Sequence, residues 1–177
     1  MSSLIFGIDI IRGSVRSGTI RPHYALVRVE DGEVISEEKN VTRFRLMRYI
    51  RTELPEILAV DSIQEIAQGT ADLYTFLAEL PPGTKLVQVT GDGIKMETLT
   101  RVAARYNLSF DKQNPMEEAK ASALLASFGA GYEVLAYTGI TDITVSRCRS
   151  PGRGGWSQNR YVRKMHGAVR THARDIE

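Results

Sequence analysis

Short apolar runs closed by turn residues constrain the fold of this chain more than any other feature. Three of them are LIFGIDII, ILAVD and KLVQVTG. Each has the length of a strand rather than of a buried helix, and turn-forming segments such as Arg-Gly-Ser follow closely. The sequence therefore predicts several strands buried in the core of a sheet.

A hairpin and several helices fill the intervals between these runs. HYALVRV and DGEVISEEK read as strands that meet at Asp31 and Gly32, a strong turn signal. Helices are predicted over residues 44–54, 62–80 with a break near residue 69, 96–106 and 115–128, and further strands over residues 107–110, 133–137 and 142–149. This order predicts an α/β fold with a mixed sheet, in which an antiparallel meander precedes parallel strands and helices cover both faces. A C-terminal β-hairpin and a basic helical tail follow it.

Length and composition exclude several classes of protein. The chain has 177 residues, enough for one globular core, and it contains no apolar run of about 18 residues and no secretory signal. We therefore expect a cytoplasmic protein without a membrane partner. One cysteine and three histidines exclude an internal disulfide and a structural zinc site, so that any metal must be held by oxygen ligands.

The net charge of +2 conceals a strong asymmetry along the chain. Residues 1–146 carry 15 Lys and Arg against 19 Asp and Glu, whereas residues 147–177 carry 8 against 2. We divide the chain accordingly into a core domain, 1–146, and a basic extension, 147–177, which we expect to be the start of a longer helix. Such a basic block indicates a polyanionic partner, nucleic acid first of all, and the alternative is a solvated helix face or a frayed tail.

Acidic residues stand where core elements end or begin. We expect Asp9 to end the first strand, Asp61 to end the strand ILAVD, and Glu118 to lie in the first turn of the helix EEAKASALLA. If the two strands are parallel neighbours, their carboxyl ends meet at one edge of the sheet. Carboxylates gathered there repel one another unless a cation lies between them, and oxygen ligands suit Mg²⁺ or Mn²⁺. Two such ions could activate a water and cleave a phosphodiester.

Other interpretations of the acids remain open. Asp9 and Asp61 could instead cap the turns that follow their strands. Glu65 and Glu117 are explained as capping-box partners of the residues three positions before them, so both are set aside as ligands. Asp92 lies between two glycines and fits an ordinary turn.

Several segments together resemble a known family. GIDI, YALV, AVDS, VQVTG and EEAKASALLA, in this order, resemble the RNase H fold of the RuvC/YqgF nuclease group, and in particular the archaeal family called domain of unknown function 460. The resemblance covers essentially the whole chain and implies that Asp9, Asp61 and Glu118 are the catalytic metal ligands. RuvC enzymes usually have a glutamate at the second position and a further acid one turn along the last helix, where this chain has Ala121 or Ser122.

The basic extension contains the unusual segment SPGRGGWSQNRYVRKMHG. Its glycines allow close approach to a phosphate backbone, Arg153 lies among them, and Trp156 offers a stacking surface or a buried anchor. A helix from residue 157 onward would place Arg160 on one face with Arg163 or Lys164. Tyr161 could stack or pack, and His166 could contact a phosphate or the backbone. Arginines with interleaved aromatics are typical of binding to single-stranded or looped RNA, and DNA fits as well.

A shorter resemblance and a second basic element point the same way. GRGGWSQNR is similar to the glycine-rich GGQ loop of peptide release factors and of their ribosome-rescue relatives, with Trp156 in place of the glutamine. This implies contact with RNA, a ribosome or tRNA. Arg12, Arg16 and Arg21 follow the first strand without an intervening acid, and they could steer a phosphate or be solvated loop charges.

Three hypotheses follow from the sequence. The first is a metal-dependent nuclease with Mg²⁺ or Mn²⁺ at Asp9, Asp61 and Glu118. The second is a non-catalytic RNA- or ribosome-binding module that uses the basic extension. The third is a scaffold that forms homo-oligomers through its C-terminal helix.

Overall fold

Three antiparallel strands open the fold, as the hairpin signal predicts. A computed structural model describes residues 3–13, 21–67, 70–90, 97–137, 143–148, 159–163 and 170–171. Strands β1 (Leu4–Arg12), β2 (His23–Glu30) and β3 (Glu33–Thr42) form a meander. Between β2 and β3 the backbone takes positive φ at Asp31 (51°) and Gly32 (85°), the conformation that a tight hairpin turn requires.

The remaining strands extend this meander into one mixed sheet. They are β4 (Ile57–Val60), β5 (Lys85–Gln88), β6 (Tyr132–Tyr137), β7 (Ile143–Cys148), β8 (Asn159–Arg163) and β9 (Arg170–Thr171). Strand β4 pairs in parallel with both β1 and β5, while β6 to β9 each add an antiparallel strand. The described strands follow the order β3-β2-β1-β4-β5-β6-β7-β8-β9. The predicted mixed α/β architecture is confirmed.

Helices cover both faces of the sheet. They are α1 (Arg43–Glu53), a 3-10 helix (Ile63–Glu65), α2 (Thr70–Glu79), α3 (Leu99–Arg105) and α4 (Pro115–Ser127). Side chains of β1 alternate between the two faces of the sheet. Phe6 and Ile8 pack with residues of α1 and α2 on one face, and Ile5 packs with residues of α3 and α4 on the other. Each face therefore has its own apolar core, with the central strands between them.

Helix α4 lies unusually close to β1. A Cβ on Gly7 would clash with the backbone carbonyl of Ala119 and would lie 2.7 Å from the Cβ of Ala123. The side chains of α4 at this contact, Ala119 and Ala123, are small enough for such an approach. Asn114 starts the helix by accepting a hydrogen bond from the backbone N–H of Met116 (3.0 Å). The first turn of α4 is thereby held next to β1.

Two local predictions were wrong, and one was right in part. Residues 107–110 are all described and form no strand. The helix predicted from residue 62 is a single 3-10 turn, whereas its predicted resumption up to residue 80 is confirmed by α2, and the expected break near residue 69 lies outside the described residues. The predicted helix from residue 157 is wrong over Asn159–Arg163, because these residues pair with β7 as strand β8. Strand β7 itself crosses the predicted boundary between residues 146 and 147.

Of the described helices, none is long and apolar enough to cross a membrane.

Candidate functional site

Two aspartates meet where the pairing of the central parallel strands ends. Ile8 of β1 pairs with Val60 of β4, and the residues that follow are Asp9 and Asp61. Asp61 comes directly after β4, whereas β1 continues to Arg12, so the prediction that Asp9 ends the first strand was wrong. Asp9 is only 7% exposed, although a lone buried carboxylate is unfavourable. The predicted meeting of these two acids at one sheet edge follows directly from the parallel pairing of β1 with β4.

Glu65 joins them from the 3-10 helix that follows β4. Its carboxyl group hydrogen-bonds to that of Asp9, and its Oε2 atom is buried without a hydrogen-bond partner. Two side chains fix the backbone here: the Tyr24 hydroxyl donates to the Glu65 carbonyl (2.7 Å), and Arg43 donates to the Ile66 carbonyl (2.5 Å). The turn is therefore anchored to β2 and α1, and the glutamate side chain is directed inward.

Glu118 approaches Asp9 from the opposite side, in the first turn of α4. The two carboxyl groups hydrogen-bond to each other, and Glu118 is half-buried. One helical turn further on, the hydroxyl of Ser122 is fully buried and accepts or donates no hydrogen bond within the described residues. The close packing of α4 on Gly7 places this face of the helix over the end of β1.

Burial and mutual repulsion raise the pKa values of these groups. Burial, and then the charge of Glu118, raises the pKa of Asp61 to about 6. Burial, followed by the hydrogen bond and the charge of Asp9, raises the pKa of Glu118 to about 7. Burial likewise raises the pKa of Glu65 well above its usual range. The pKa of Asp9 is raised by burial, against hydrogen bonds from Glu65 and Glu118 that lower it.

The four carboxyl groups, Asp9, Asp61, Glu65 and Glu118, are called the carboxylate cluster below. The charges that act on its members are those of other carboxylates, so near neutral pH the cluster retains protons or takes up a cation. Oxygen-only donors of this kind fit Mg²⁺ or Mn²⁺. In the described part of the chain no three His, Cys, Asp or Glu side chains are already spaced to hold a metal ion.

Two side chains at the end of β5 and just after it, Gln88 and Thr90, fix the segment that carries Asp61 and Glu65. Gln88 accepts a hydrogen bond from the backbone N–H of Ile63 (3.0 Å) and donates to the Thr90 carbonyl (3.3 Å). The Thr90 hydroxyl donates to the Asp61 carbonyl (2.7 Å). Gln88 and Thr90 are 3% and 8% exposed, so water competes little for these bonds. They position Asp61 and the 3-10 helix without being acidic.

The structure brings the three predicted acids together and adds one that the sequence argument set aside. The pattern Ser62 to Glu65 suggested a capping box, but Ser62 caps Gln64 and the Glu65 carboxyl turns to Asp9. Glu117 forms an ion pair with Lys120 (2.9 Å). No local signal identifies Glu65, because its spacing from Ser62 is that of a capping box and contacts between distant segments direct its carboxyl group to Asp9.

The predicted nucleic-acid contacts fall in different places. Arg12 is exposed at the end of β1, beside the cluster. Arg160, Tyr161 and Arg163 lie in β8, so the predicted helical face of basic residues is wrong there. Five strand spacings separate β8 from β1, which is about 24 Å. The remaining predicted contacts lie outside the described residues: Arg16, Arg153, Trp156, Lys164 and His166.

Comparisons with known proteins give no match from which the function of this site could be inferred. No protein family, curated protein or solved structure matches the chain. What the site does must therefore be inferred from its own geometry and chemistry.

Proposed function

We propose that this chain is a divalent-cation-dependent nuclease of the RuvC/YqgF RNase H-like group, which hydrolyses phosphodiesters of nucleic acid at the carboxylate cluster. The observation that carries the proposal is the convergence of Asp9, Asp61, Glu65 and Glu118 where the parallel pairing of β1 with β4 ends. The strand order β3-β2-β1-β4-β5, an antiparallel meander followed by parallel strands, supports the RNase H-like assignment.

The chain's own residues supply ligands and positioning. Asp9 and Asp61 offer carboxylate oxygens from adjacent strands, and Glu118 and Glu65 close the site from α4 and the 3-10 helix. Bound Mg²⁺ or Mn²⁺ would polarise the phosphoryl group and lower the pKa of an attacking water. Because the pKa values of Glu65 and Glu118 are raised, these groups would release protons when they act as ligands of the cation. Gln88 and Thr90 keep the turn with Asp61 in place during this exchange.

A second candidate is the non-catalytic RNA- or ribosome-binding module. It is favoured by one observation, namely that the described side chains are not already spaced to hold a metal ion. In this case the cluster is a structural proton-sharing group, and the basic extension, similar in GRGGWSQNR to release-factor loops, makes the contact with RNA. Substitution of Asp9 would then leave nucleic-acid binding unchanged.

A cleavage assay distinguishes the two candidates. The full chain is incubated with labelled RNA, DNA and branched DNA in Mg²⁺, in Mn²⁺ and in EDTA. We expect cleavage only with a cation, and a loss of at least about 100-fold in Asp9→Asn and in Glu118→Gln. Glu79→Gln, which changes an exposed acid at the end of α2, is the matched control and should cleave like the original chain.

The outcomes separate clearly. Equal activity in the original chain and in Asp9→Asn would mean that the cluster is not the active site. Binding of nucleic acid without cleavage under any cation would support the non-catalytic module instead.

A further inference from the structure

A cavity lies beside the carboxylate cluster, at the same end of the sheet. Its volume is about 470 Å³, within the range of small-molecule sites. It lies where β2 begins and where β3 passes into α1, and it is lined by Arg21, Pro22, His23, Thr42, Arg43 and Phe44. His23 pairs with Thr42 on β3 and with Arg12 on β1, so the cavity borders the edge at which β1 ends.

The backbone register gives the separation of cavity and cluster. His23 stands two residues before Ala25, and Ala25 pairs with Asp9. At strand spacing the Cα atoms of His23 and Asp9 are therefore about 9 Å apart. One strand of a nucleic acid can thus pass from the cluster into the cavity.

Arg43 connects the two sites directly. Arg43 lines the cavity, and its guanidinium lies 5.0 Å from the ring centre of Phe76 and donates to the carbonyl of Ile66, the residue after Glu65. The wall of the cavity and the turn that carries Glu65 are therefore joined by one fixed side chain. A ligand seated in the cavity is held in a defined position relative to the cluster.

The lining has the chemistry of a site for single-stranded nucleic acid. Phe44 is 74% exposed in the first turn of α1, where an aromatic ring gains little from the protein's own core. Arg21 is exposed, His23 is half-buried, and the six lining residues include no acid. The first turn of α1 also contains no acidic residue, so its N-terminal dipole adds to the positive charge. An aromatic surface flanked by cations is the usual platform for an unstacked base and its phosphates.

We infer that this cavity binds an unstacked base in a single-stranded segment of the substrate, next to the phosphodiester presented to the carboxylate cluster. Phe44 is the stacking surface, while Arg12, Arg21 and His23 contact the flanking phosphates. The inference rests on the proposed function for the choice of a nucleic acid. It adds the requirement that the substrate be single-stranded close to the scissile bond.

The test measures binding separately from cleavage. Fluorescence anisotropy follows short labelled single strands of RNA and of DNA, and the matching duplexes, in EDTA with the full chain carrying Asp9→Asn. Phe44→Ala should weaken single-strand binding about 5- to 100-fold, and Phe44→Trp should retain it. Arg21→Ala should reduce the salt slope of binding by about one. The RNA and DNA arms show which polymer the site accepts.

Two matched controls use exposed side chains that do not line the cavity. Tyr74→Ala removes an aromatic ring from α2, and Arg51→Ala removes a cation from the far end of α1. Both should bind single strands like the parent protein. Because Phe44 is mostly exposed, Phe44→Ala should also keep the circular dichroism spectrum of the parent.

Failure of the inference and failure of the proposed function give different results. Unchanged binding in Phe44→Ala, equal affinity for duplex and single strand, or Phe44-dependent binding of an acidic peptide in place of oligonucleotides would overturn the inference. Phe44-dependent binding of single strands by a chain that cleaves nothing with Mg²⁺ or Mn²⁺ would support it, and only the nuclease proposal would fail.

Discussion

Gly7 of β1 lies directly beneath Ala123 of α4, so close that a Cβ on the glycine would come within 2.7 Å of the alanine Cβ. Asp9 follows two residues later on the same face of β1, and Glu118 precedes the other residue that Gly7 contacts, Ala119. The absence of a side chain at one position of β1 therefore sets the distance between two members of the carboxylate cluster.

Gly7→Ala should consequently destabilise the protein and separate Glu118 from Asp9. The added methyl group meets helix backbone rather than a flexible side chain, so we expect a loss of about 1–3 kcal/mol in the free energy of unfolding. Urea denaturation measures this loss. Gly83→Ala is the matched control, because a Cβ at Gly83 has open space around it. Equal stability of the two variants would show that α4 can shift without cost.

Much of the fold could be predicted because its signals are local. Asp31-Gly32 forces the turn between β2 and β3, and Asn114 with Pro115 starts α4 where the sequence predicts. The meeting of Asp9 and Asp61 was also predictable, since it needs only that their two strands be parallel neighbours.

The parts that could not be predicted depend on contacts between distant segments. Ser62 and Glu65 have the spacing of a capping box, and only the packing of the 3-10 helix on Tyr24 and Arg43 directs Glu65 to Asp9 instead. Residues 159–163 are compatible with a helix by themselves, but pairing with β7 makes them a strand. Local propensity cannot decide such cases because the competing stabilisation comes from tertiary structure.

Glu65 and Glu117 both have the spacing of a capping-box glutamate in the sequence, but their substitution should affect cation binding differently. Glu65→Gln removes a member of the cluster, whereas Glu117→Gln removes only the ion pair with Lys120 on the surface of α4. If the cluster binds a cation, Glu65→Gln should weaken the binding of Mn²⁺ about tenfold or more, and Glu117→Gln should not. The measurement is the rise in melting temperature as Mn²⁺ is added, which does not require an active enzyme. The same Mn²⁺ dependence in both variants would exclude Glu65 from the site.

The protein without a cation should lose stability as the pH rises. Burial raises the pKa of Asp61 from 3.8 to about 6 and that of Glu118 from 4.5 to about 7. Between these limits the native state keeps protons that the unfolded chain has released, so the free energy of unfolding falls with rising pH. Asp61 alone accounts for about 2–3 kcal/mol of this change.

Urea denaturation in EDTA from about pH 4 to about pH 8 measures this dependence. Asp61→Asn removes one of the titrating groups, so its stability should vary less over the same range. Addition of Mn²⁺ should restore most stability at the alkaline end, where the carboxylates are charged. A free energy of unfolding that increases through this window would contradict the raised pKa values.

Two buried threonines, Thr84 before β5 and Thr90 after it, allow the positioning of Asp61 to be tested separately from the stability of the sheet. The Thr90 hydroxyl donates to the Asp61 carbonyl (2.7 Å), and the Thr84 hydroxyl donates to the Pro55 carbonyl (2.6 Å), far from the cluster. The two side chains are 8% and 7% exposed, so each valine substitution leaves one buried carbonyl without that partner. Both Thr90→Val and Thr84→Val should therefore lower the free energy of unfolding by about 1–2 kcal/mol.

Only one of these substitutions should alter the site. Loss of the bond from Thr90 frees the turn that carries Asp61, so the Mn²⁺ needed to raise the melting temperature should increase several-fold in Thr90→Val. Thr84→Val should show the original Mn²⁺ dependence at its lower stability. If the two variants respond to Mn²⁺ alike, the hydroxyl of Thr90 contributes to the stability of the sheet and does not position Asp61.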